Sequence, residues 1–390
     1  MAPSSRLGYF DRASSRLEHS QYRTSQRISL LSVLMMKIYN AIFLFCVFLV
    51  TLLSASIMLW SQPITGDLTR ISAYPERWFG WNDAQQNIPI ITNSARTDKK
   101  RHLLVVGDSF SEAGHWQAYL GEKYSFSFIH NGKTTLSKII STIDREKPDA
   151  VIIEAAERAF PDMYGTGSTF MNSDGHCDSF ALNSENETAT TSFKAIDNIT
   201  TLHQFPPMER KTFPTEGKSI SEGFHAMKIW AKSITSPRKR KAKTLAITRN
   251  DLFSNQRNNQ ILLLSRDFLL YDSADEKSVT TIRCSMQKTA DVLSQKNIPY
   301  VLLAIPDKTT AYQPYLADEA IRKRPALINR LHVNQIPHGI DMLPPIQAMA
   351  AAGHKDIYLP DDTHWGYKGF QLAAALIAME LDTQWLTAHD

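Results

Sequence analysis

Three short runs of apolar residues constrain the fold of this chain more than any other feature of its sequence. They occupy residues 102–106, 150–153 and 300–305. Each run is too short for a buried helix and is typical of a strand that is buried on both faces. Such strands occur in parallel sheets that lie between two layers of helices. The sequence therefore predicts a three-layer α/β/α domain.

Segments with strand or helix periodicity surround these runs. Aromatic residues alternate with serine over residues 124–128, which predicts another strand. Apolar residues recur with helical spacing over residues 136–143, which predicts an amphipathic helix. Two more helices are expected downstream. One follows a capping box of Ser273 and Glu276, and the other covers about residues 366–381.

Residues 38–60 form an uncharged and mostly apolar segment. About 20 apolar residues in a helix are enough to cross the ~30 Å hydrocarbon core of a membrane. Residues 1–37 hold six basic and two acidic side chains, which favours a cytoplasmic amino terminus and an exported body. A cleaved signal peptide, with Ser54-Ala55-Ser56 as the cleavage site, is the alternative. The long polar lead and the length of the apolar run favour an uncleaved anchor.

The rest of the chain carries 37 basic and 37 acidic side chains, so its charge does not indicate nucleic-acid binding. Residues 61–100 are polar and rich in turn formers, and we expect a linker there. The α/β pattern extends over residues 101–390, with an insertion or lid at about 160–243. The insertion ends in a basic run at 238–243. This run is interpreted as a solvated loop, although it could attract an anionic polymer.

The body contains two cysteines, Cys177 and Cys284. An oxidising compartment would permit a disulfide between them, but nothing in the sequence indicates that they meet. No cysteine and histidine spacing is typical of a zinc site. Residues 131–135 end like a phosphate-binding loop but lack its first glycine. We therefore expect neither a metal nor a cofactor.

Candidate chemistry lies in two blocks. Gly107-Asp108-Ser109 follows the first apolar run, and the carboxyl end of a parallel strand is where ligands bind. Alone, such a serine is more often a helix cap than a nucleophile. The second block, Asp361-Asp362-Thr363-His364, precedes the last helix. A histidine can take the proton of a serine nucleophile, and a carboxylate holds the histidine in the required tautomer. Together the two blocks predict a serine nucleophile.

An early Gly-Asp-Ser block with a late Asp–His block resembles the SGNH hydrolase superfamily. More narrowly, the chain is similar to the SGNH-like alginate O-acetyltransferase family of the AlgJ and AlgX type. The further blocks that carry this similarity are Glu157-Arg158, Pro306-Asp307-Lys308 with Tyr312, Asp362-Thr363-His364-Trp365, and Gly66-Asp67-Leu68-Thr69-Arg70 with Phe79-Gly80-Trp81. The resemblance covers about residues 63–382. It implies an SGNH-like (flavodoxin-like) α/β/α fold with a parallel sheet, preceded by a single N-terminal transmembrane helix.

The resemblance also implies roles for individual residues. Ser109 would be the nucleophile and His364 the general base. The carboxylate is open between Asp362 and Asp361, and the Thr-His-Trp sequence that follows favours Asp362. Gly132 matches the position of the superfamily's glycine oxyanion donor.

The usual asparagine oxyanion donor has no counterpart in this chain. Arg158 belongs to the Glu157-Arg158 pair that stands in its place, and it would orient the substrate or stabilise charge.

The function that the resemblance implies is transfer of acetyl groups onto hydroxyls of an exported cell-surface polysaccharide. The enzyme would be periplasmic and anchored in the bacterial inner membrane, with a membrane-bound O-acyltransferase as its acetyl donor. In the alginate proteins the Asp-x-His block precedes the serine and a carbohydrate-binding module follows the catalytic domain. Neither feature occurs here, so alginate itself is not implied. A carbohydrate esterase and a non-catalytic glycan-binding or assembly subunit are the alternatives.

Overall fold

The structure is a computed structural model that describes residues 34–54, 66–72, 74–91, 93–97, 99–171, 202–208, 241–268 and 275–387. The chain divides into two compact units. The first comprises residues 1–61 and 216–224, and its described part is one helix. The second comprises residues 62–215 and 225–390. Cys177 and most of the predicted insertion lie outside the described residues, so the disulfide and the lid stay predictions.

The helices and strands of the described residues are short except for three helices. The strands are β1 (Gln85–Gln86), β2 (Arg101–Gly107), β3 (Tyr124–His130), β4 (Ala150–Ala156), β5 (Pro207–Met208), β6 (Ala242–Ala246), β7 (Gln260–Leu264), β8 (Tyr300–Ile305) and β9 (Gly339–Asp341). The helices are α1 (Leu34–Ser54), α2 (Asp67–Ser72), α3 (Glu76–Phe79), α4 (Ser109–Glu112), α5 (His115–Ala118), α6 (Leu136–Glu146), α7 (Phe160–Tyr164), α8 (Glu276–Gln295), α9 (Lys308–Ala311), α10 (Glu319–Arg322), α11 (Leu327–Leu331), α12 (Leu343–Ala351) and α13 (Tyr367–Thr387).

The main sheet of the described residues has the strand order β3-β2-β4-β8-β9, and every neighbouring pair is parallel. Numbered along the chain, this is the 2-1-3-4-5 order of flavodoxin-like folds. The order reverses between β2 and β4. In such sheets a ligand crevice lies at this reversal, outside the carboxyl ends of the strands. The SGNH-like α/β fold expected from the sequence is confirmed.

The strands bury both of their faces because alternate side chains point to opposite layers. Leu103 and Val105 of β2 belong to one buried cluster, together with Trp116 of α5. Their neighbours Leu104 and Val106 belong to a second cluster, which contains apolar residues of α6 and α8. Each of these leucine and valine side chains contributes about 1.5–3 kcal/mol by burial. The sheet therefore lies between two helical layers.

Helix α1 is, within the described part of the chain, the one helix long and apolar enough to cross a membrane. It has 21 residues and begins four residues before the predicted segment, while residues 55–60 lie outside the described part. Length and composition are the basis of this assignment, and a signal sequence has the same properties.

Two local expectations differ from the structure. Helix α8 is capped by Asp275, whose carboxylate accepts the Ser278 N–H at 2.7 Å, so the predicted cap at Ser273 is wrong. An aspartate directly before the first helical residue is well placed to accept this N–H. The predicted linker contains α2 and α3, and its Leu68 and Phe79 are buried against β6 and β7.

Candidate active site

Ser109 is the first residue of α4, just beyond the carboxyl end of β2. The preceding Asp108 caps this helix. Its carboxylate accepts the Phe110 N–H at 2.9 Å and the Ala156 N–H, from the end of β4, at 2.9 Å. As the first residue of its helix, Ser109 has no intrahelical acceptor for its own N–H. The turn thus fixes an exposed hydroxyl beside a backbone donor.

The buried carboxyl group of Glu154 also stabilises this turn. Glu154 of β4 is fully buried and accepts the Asp108 N–H at 3.1 Å and the Ser111 hydroxyl at 2.7 Å. Burial, assisted by the charge of Asp108, raises the pKa of Glu154 well above its usual value. A side chain at Gly107 would place its Cβ 2.5 Å from Glu154 Oε2. The glycine of the Gly-Asp-Ser block is therefore required by this close approach.

His364 lies in the loop of residues 358–365, which immediately precedes α13. Backbone pairing between Tyr358 and Trp365 closes the loop. The ring of Phe110, next to Ser109, packs against His364 and Trp365 with centroid distances of 4.9 and 4.7 Å. These ring contacts hold the loop against α4.

Three of the predicted side chains form a continuous hydrogen-bonded chain. The Ser109 hydroxyl donates to Nε2 of His364 at 2.7 Å. Nδ1 of His364 donates to Oδ1 of Asp362 at 2.6 Å, and the backbone N–H of His364 donates to the same oxygen at 3.0 Å. This is the geometry of a nucleophile, its base and the carboxylate that orients the base.

The charges in this chain favour an ionised carboxylate next to a basic histidine. Burial alone would lower the pKa of His364, but the hydrogen bond and the charge of Asp362 outweigh it and raise this pKa. Burial would raise the pKa of Asp362, yet its hydrogen bonds with His364 hold the pKa of this carboxyl well below its ordinary value. Asp362 is therefore ionised near neutral pH and stabilises the imidazolium.

The alternative carboxylate, Asp361, is buried beside a different cation. Its charge is the largest of those that favour the charged form of Lys308. The hydrogen bonds of His364 go to Asp362, so the geometry favours Asp362 as the catalytic carboxylate.

Lys308 holds the backbone of the same loop. Its buried ammonium group donates to the carbonyl oxygens of Leu359, Pro360 and Asp362 at 2.7, 3.0 and 3.1 Å. Burial lowers the pKa of Lys308 to about 8, although the neighbouring aspartates oppose this shift. The loop that carries the histidine is thus built around one cation.

Gly132 lies two residues beyond β3, whose last residue, His130, pairs in register with Gly107 of β2. The position is therefore at the same edge of the sheet as Ser109. The Gly132 N–H, however, donates to Nδ1 of His130 at 3.0 Å. Gly132 can donate to an oxyanion only after the His130 ring turns away.

Arg158 follows β4 and forms a mostly buried ion pair with Asp307, at 2.6 Å. Burial would lower the pKa of Arg158, but the charges of Asp307 and nearby aspartates raise it, so the guanidinium stays charged. Its central carbon lies 5.7 Å from the centre of the Phe110 ring, and its charge also acts on His364. Arg158 therefore contributes positive charge to the site.

Sequence reasoning gave no role to Glu154 or to Asp67. Glu154 supports the turn that carries Ser109, and Asp67 of α2 contacts the loop of residues 358–365. Their partners lie 43 and 296 residues away. The one sequence signal is that Asp67 lies in the Gly66–Arg70 block, and this block alone does not indicate what Asp67 contacts.

Asp67, Asp362 and His364 each offer a ligand atom, and these atoms lie within 4.8 Å of one another. Nδ1 of His364 is already engaged with Asp362. A metal ion here would have to displace the hydrogen bond that orients the base, so the arrangement favours acid–base chemistry over metal binding.

The strand order, the serine at the end of β2 and the Asp–His loop before the last helix define an SGNH hydrolase-like domain. The family model for the SGNH hydrolase-like domain of acetyltransferase AlgX matches residues 245–390 and supports placing this chain in the SGNH/AlgX-like family. The match includes Asp362 and His364 but not Ser109, Gly132 or Arg158. No curated protein and no solved structure is significantly similar to the chain.

Proposed function

We propose that this protein is a serine-dependent O-acetyltransferase that modifies an exported cell-surface polysaccharide. The observation that carries the proposal is the hydrogen-bonded chain from Ser109 through His364 to Asp362. The AlgX-like family supports acetyl transfer and a polysaccharide substrate.

In the first step, Nε2 of His364 takes the proton of Ser109 while Oγ attacks the carbonyl carbon of an acetyl donor. The tetrahedral intermediate collapses as the bond to the leaving group breaks. The imidazolium returns its proton to that group, and the acetyl ester of Ser109 remains. Asp362 stabilises the imidazolium throughout.

The negative oxygen of the intermediate needs donors that are already in place. The Ser109 N–H is one, because no helical carbonyl uses it. Arg158 supplies positive charge from the end of the neighbouring strand, in place of the missing asparagine. Gly132 becomes a further donor once His130 releases its N–H.

In the second step, His364 takes a proton from a sugar hydroxyl, whose oxygen attacks the acetyl ester of Ser109. The acetyl group moves to the sugar, and His364 returns the proton to Ser109. Water in place of the sugar gives hydrolysis. Because Ser109 is exposed to solvent in this structure, an esterase is the second candidate function.

The proposed location follows from α1. An uncleaved anchor would hold the catalytic domain at the periplasmic face of the inner membrane, where a membrane-bound O-acyltransferase could supply acetyl groups.

The test is the O-acetyl content of surface polysaccharide in cells that lack the native protein and carry a complementing gene. We expect wild type and Ser141→Ala, a control at an exposed helical serine, to restore acetylation, and Ser109→Ala and His364→Ala to fail. Restoration by Ser109→Ala would show a non-catalytic glycan-binding or assembly subunit instead.

The esterase alternative has a separate readout. The full chain in detergent is incubated with acetylated and with unacetylated polymer, and released acetate and polymer-bound acetyl are measured. With an added acetyl donor, the proposal predicts that the unacetylated polymer gains more acetyl groups than the acetylated polymer releases as acetate. Faster release of acetate would identify a carbohydrate esterase.

A further inference from the structure

Asp67 contacts the loop of residues 358–365, although it lies 296 residues before Thr363 of that loop in the chain. Its Oδ1 accepts the backbone N–H of Thr363 at 3.0 Å, and its Oδ2 accepts the Thr363 hydroxyl at 2.7 Å. Its own N–H donates to Oδ2 of Asp362 at 3.1 Å. One residue thus makes three hydrogen bonds to the two positions that precede His364.

The backbone around Asp67 adds to this contact. The N–H groups of Leu68 and Thr69 both point to the carbonyl oxygen of Asp361, at 3.1 and 3.4 Å. A Cβ at Gly66 would lie 2.2 Å from the same oxygen, so only glycine allows the chains to approach this closely. The first turn of α2 is therefore fitted to the loop that holds the base.

The two oxygens of Asp362 have separate partners as a result. Oδ1 accepts from His364, and Oδ2 accepts from the Asp67 backbone. A carboxylate held at both oxygens cannot rotate away from the imidazole. The side chain of Asp67 fixes the intervening Thr363, and its Oδ2 lies 4.0 Å from Nδ1 of His364.

We propose that Asp67 is a positioning residue of the acyl-transfer site, a second carboxylate that fixes the Asp362–His364 pair through Thr363 and adds its charge to that of Asp362. The inference rests on the proposed function for its effect on rate. Its effect on His364 itself does not depend on acyl transfer.

Several charged groups act at the same place. Burial and the charge of Asp362 raise the pKa of Asp67, which faces His364 and, from α9, Lys308. The charges of Asp362 and Asp67 favour the imidazolium form of His364.

Arg158 acts in the opposite sense and lowers the pKa of His364. Burial, together with the charge of His364, lowers the pKa of His115 of α5. Removing the Asp67 charge leaves Asp362 as the remaining carboxylate among these groups, so the pKa of His364 falls.

Two nearly isosteric variants separate position from charge. Asp67→Asn keeps an acceptor for Thr363 but removes the charge. It should lower the pKa of His364 by about one unit and move the acid limb of kcat to lower pH. Thr363→Val removes the hydroxyl bond without changing charge. It should lower kcat about tenfold, leave KM and the pKa of His364 unchanged, and be rescued by Thr363→Ser.

The experiment follows the imidazole signals of the ¹⁵N-histidine-labelled full chain in detergent as pH is varied, with His364→Gln to assign the resonance. Acetylation of Ser109 by p-nitrophenyl acetate is measured on the same samples. Asp144→Asn, which removes an exposed carboxylate of α6, is the control and should change neither quantity.

A lower pKa of His364 in Asp67→Asn, with slower acetylation in both variants, supports the inference. An unchanged pKa in Asp67→Asn, with wild-type kcat in Thr363→Val, overturns it. If the pKa falls but wild type forms no acetyl-Ser109, the positioning role of Asp67 stands and the proposed acyl transfer fails.

Discussion

Asp361 and Asp362 are neighbours in the chain, but they face different cations. Asp362 bonds to His364, whereas Asp361 lies beside the ammonium group of Lys308. Asp362 therefore stabilises the protonated form of His364, whereas Asp361 stabilises the loop through Lys308.

Exchange of each aspartate for asparagine tests this division. Asp362→Asn should lower kcat with p-nitrophenyl acetate by about 10⁴-fold, because an amide at this position favours the wrong histidine tautomer. Asp361→Asn should keep kcat within about tenfold of wild type and lower the stability of the loop. Steady-state rates and thermal unfolding of both variants provide the measurement, and an equal loss of kcat would contradict the assignment.

The pH dependence of the site follows from His364. Because Asp362 raises the pKa of His364, the imidazole holds its proton to a pH above its ordinary value of 6.5. A protonated imidazole cannot accept the proton of Ser109. We expect kcat/KM to decrease as pH falls, with an apparent pKa above 6.5. A rate profile that is flat from pH 5 to 8 would show that His364 is not the base.

Ser109 and His364 lie on different elements, and different interactions fix each of them. The turn that carries Ser109 is fixed by hydrogen bonds to Glu154, and the loop that carries His364 is fixed by hydrogen bonds from Lys308. Both Glu154 and Lys308 are buried and have several hydrogen-bonding partners, and removal of either side chain leaves those partners unsatisfied.

Lys308→Met tests the loop. The substitution leaves three carbonyl oxygens, one buried and two partly buried, without their shared donor and should lower the free energy of unfolding by about 3 kcal/mol. The control is Lys296→Met, which removes an ion pair with the exposed Asp144 and should change stability by less than about 1 kcal/mol. Denaturant unfolding in detergent gives both values, and equal effects would contradict the role of Lys308.

The same lysine predicts a pH effect. Its pKa in the folded state, about 8, lies below the ordinary value of 10.5, so the folded form loses its proton first. Stability should therefore increase with pH between these two values, and this increase should be absent from Lys308→Met.

The sequence predicted the strands and helices that have strong periodicity. The buried strands, α6 and α13 lie within a few residues of their expected places because burial on two faces requires continuous apolar runs. The segment before β2 was interpreted as a linker because its apolar residues are few. Leu68 and Phe79 are buried through contacts with a hairpin far along the chain, and periodicity carries no information about such contacts.

For the site, sequence spacing and family resemblance predicted roles for Ser109, His364 and Asp362, with Asp361 as the alternative carboxylate. The fold brings Ser109, His364 and Asp362 within hydrogen-bond distance. Glu154 and Asp67 could not be assigned, since a carboxylate's role depends on partners that only the folded chain brings near. Gly132 was identified by position, but its bond to the His130 ring was not foreseen.

In the proposed function, the apolar helix α1 anchors the acyl-transfer domain in the membrane. A charged residue near the centre of a membrane-spanning helix costs about 2.5–3.5 kcal/mol. We expect the full chain to stay in the membrane pellet after alkaline carbonate extraction, and Phe45→Arg with Leu49→Arg to reduce this retention.

Leu386→Arg, at an exposed apolar residue of the body, should behave as wild type in this extraction. A soluble, shortened wild-type protein would show a cleaved signal peptide instead of an anchor.

The central claim is that Ser109 carries an acetyl group during the reaction. Intact-mass spectrometry of the full chain in detergent, after brief incubation with p-nitrophenyl acetate, tests it most directly. We predict a transient gain of one acetyl group, mapped to Ser109, in wild type and Ser141→Ala and absent from Ser109→Ala and His364→Ala. Release of p-nitrophenol at the same rate from all four proteins, with no acetyl on Ser109, would contradict the account.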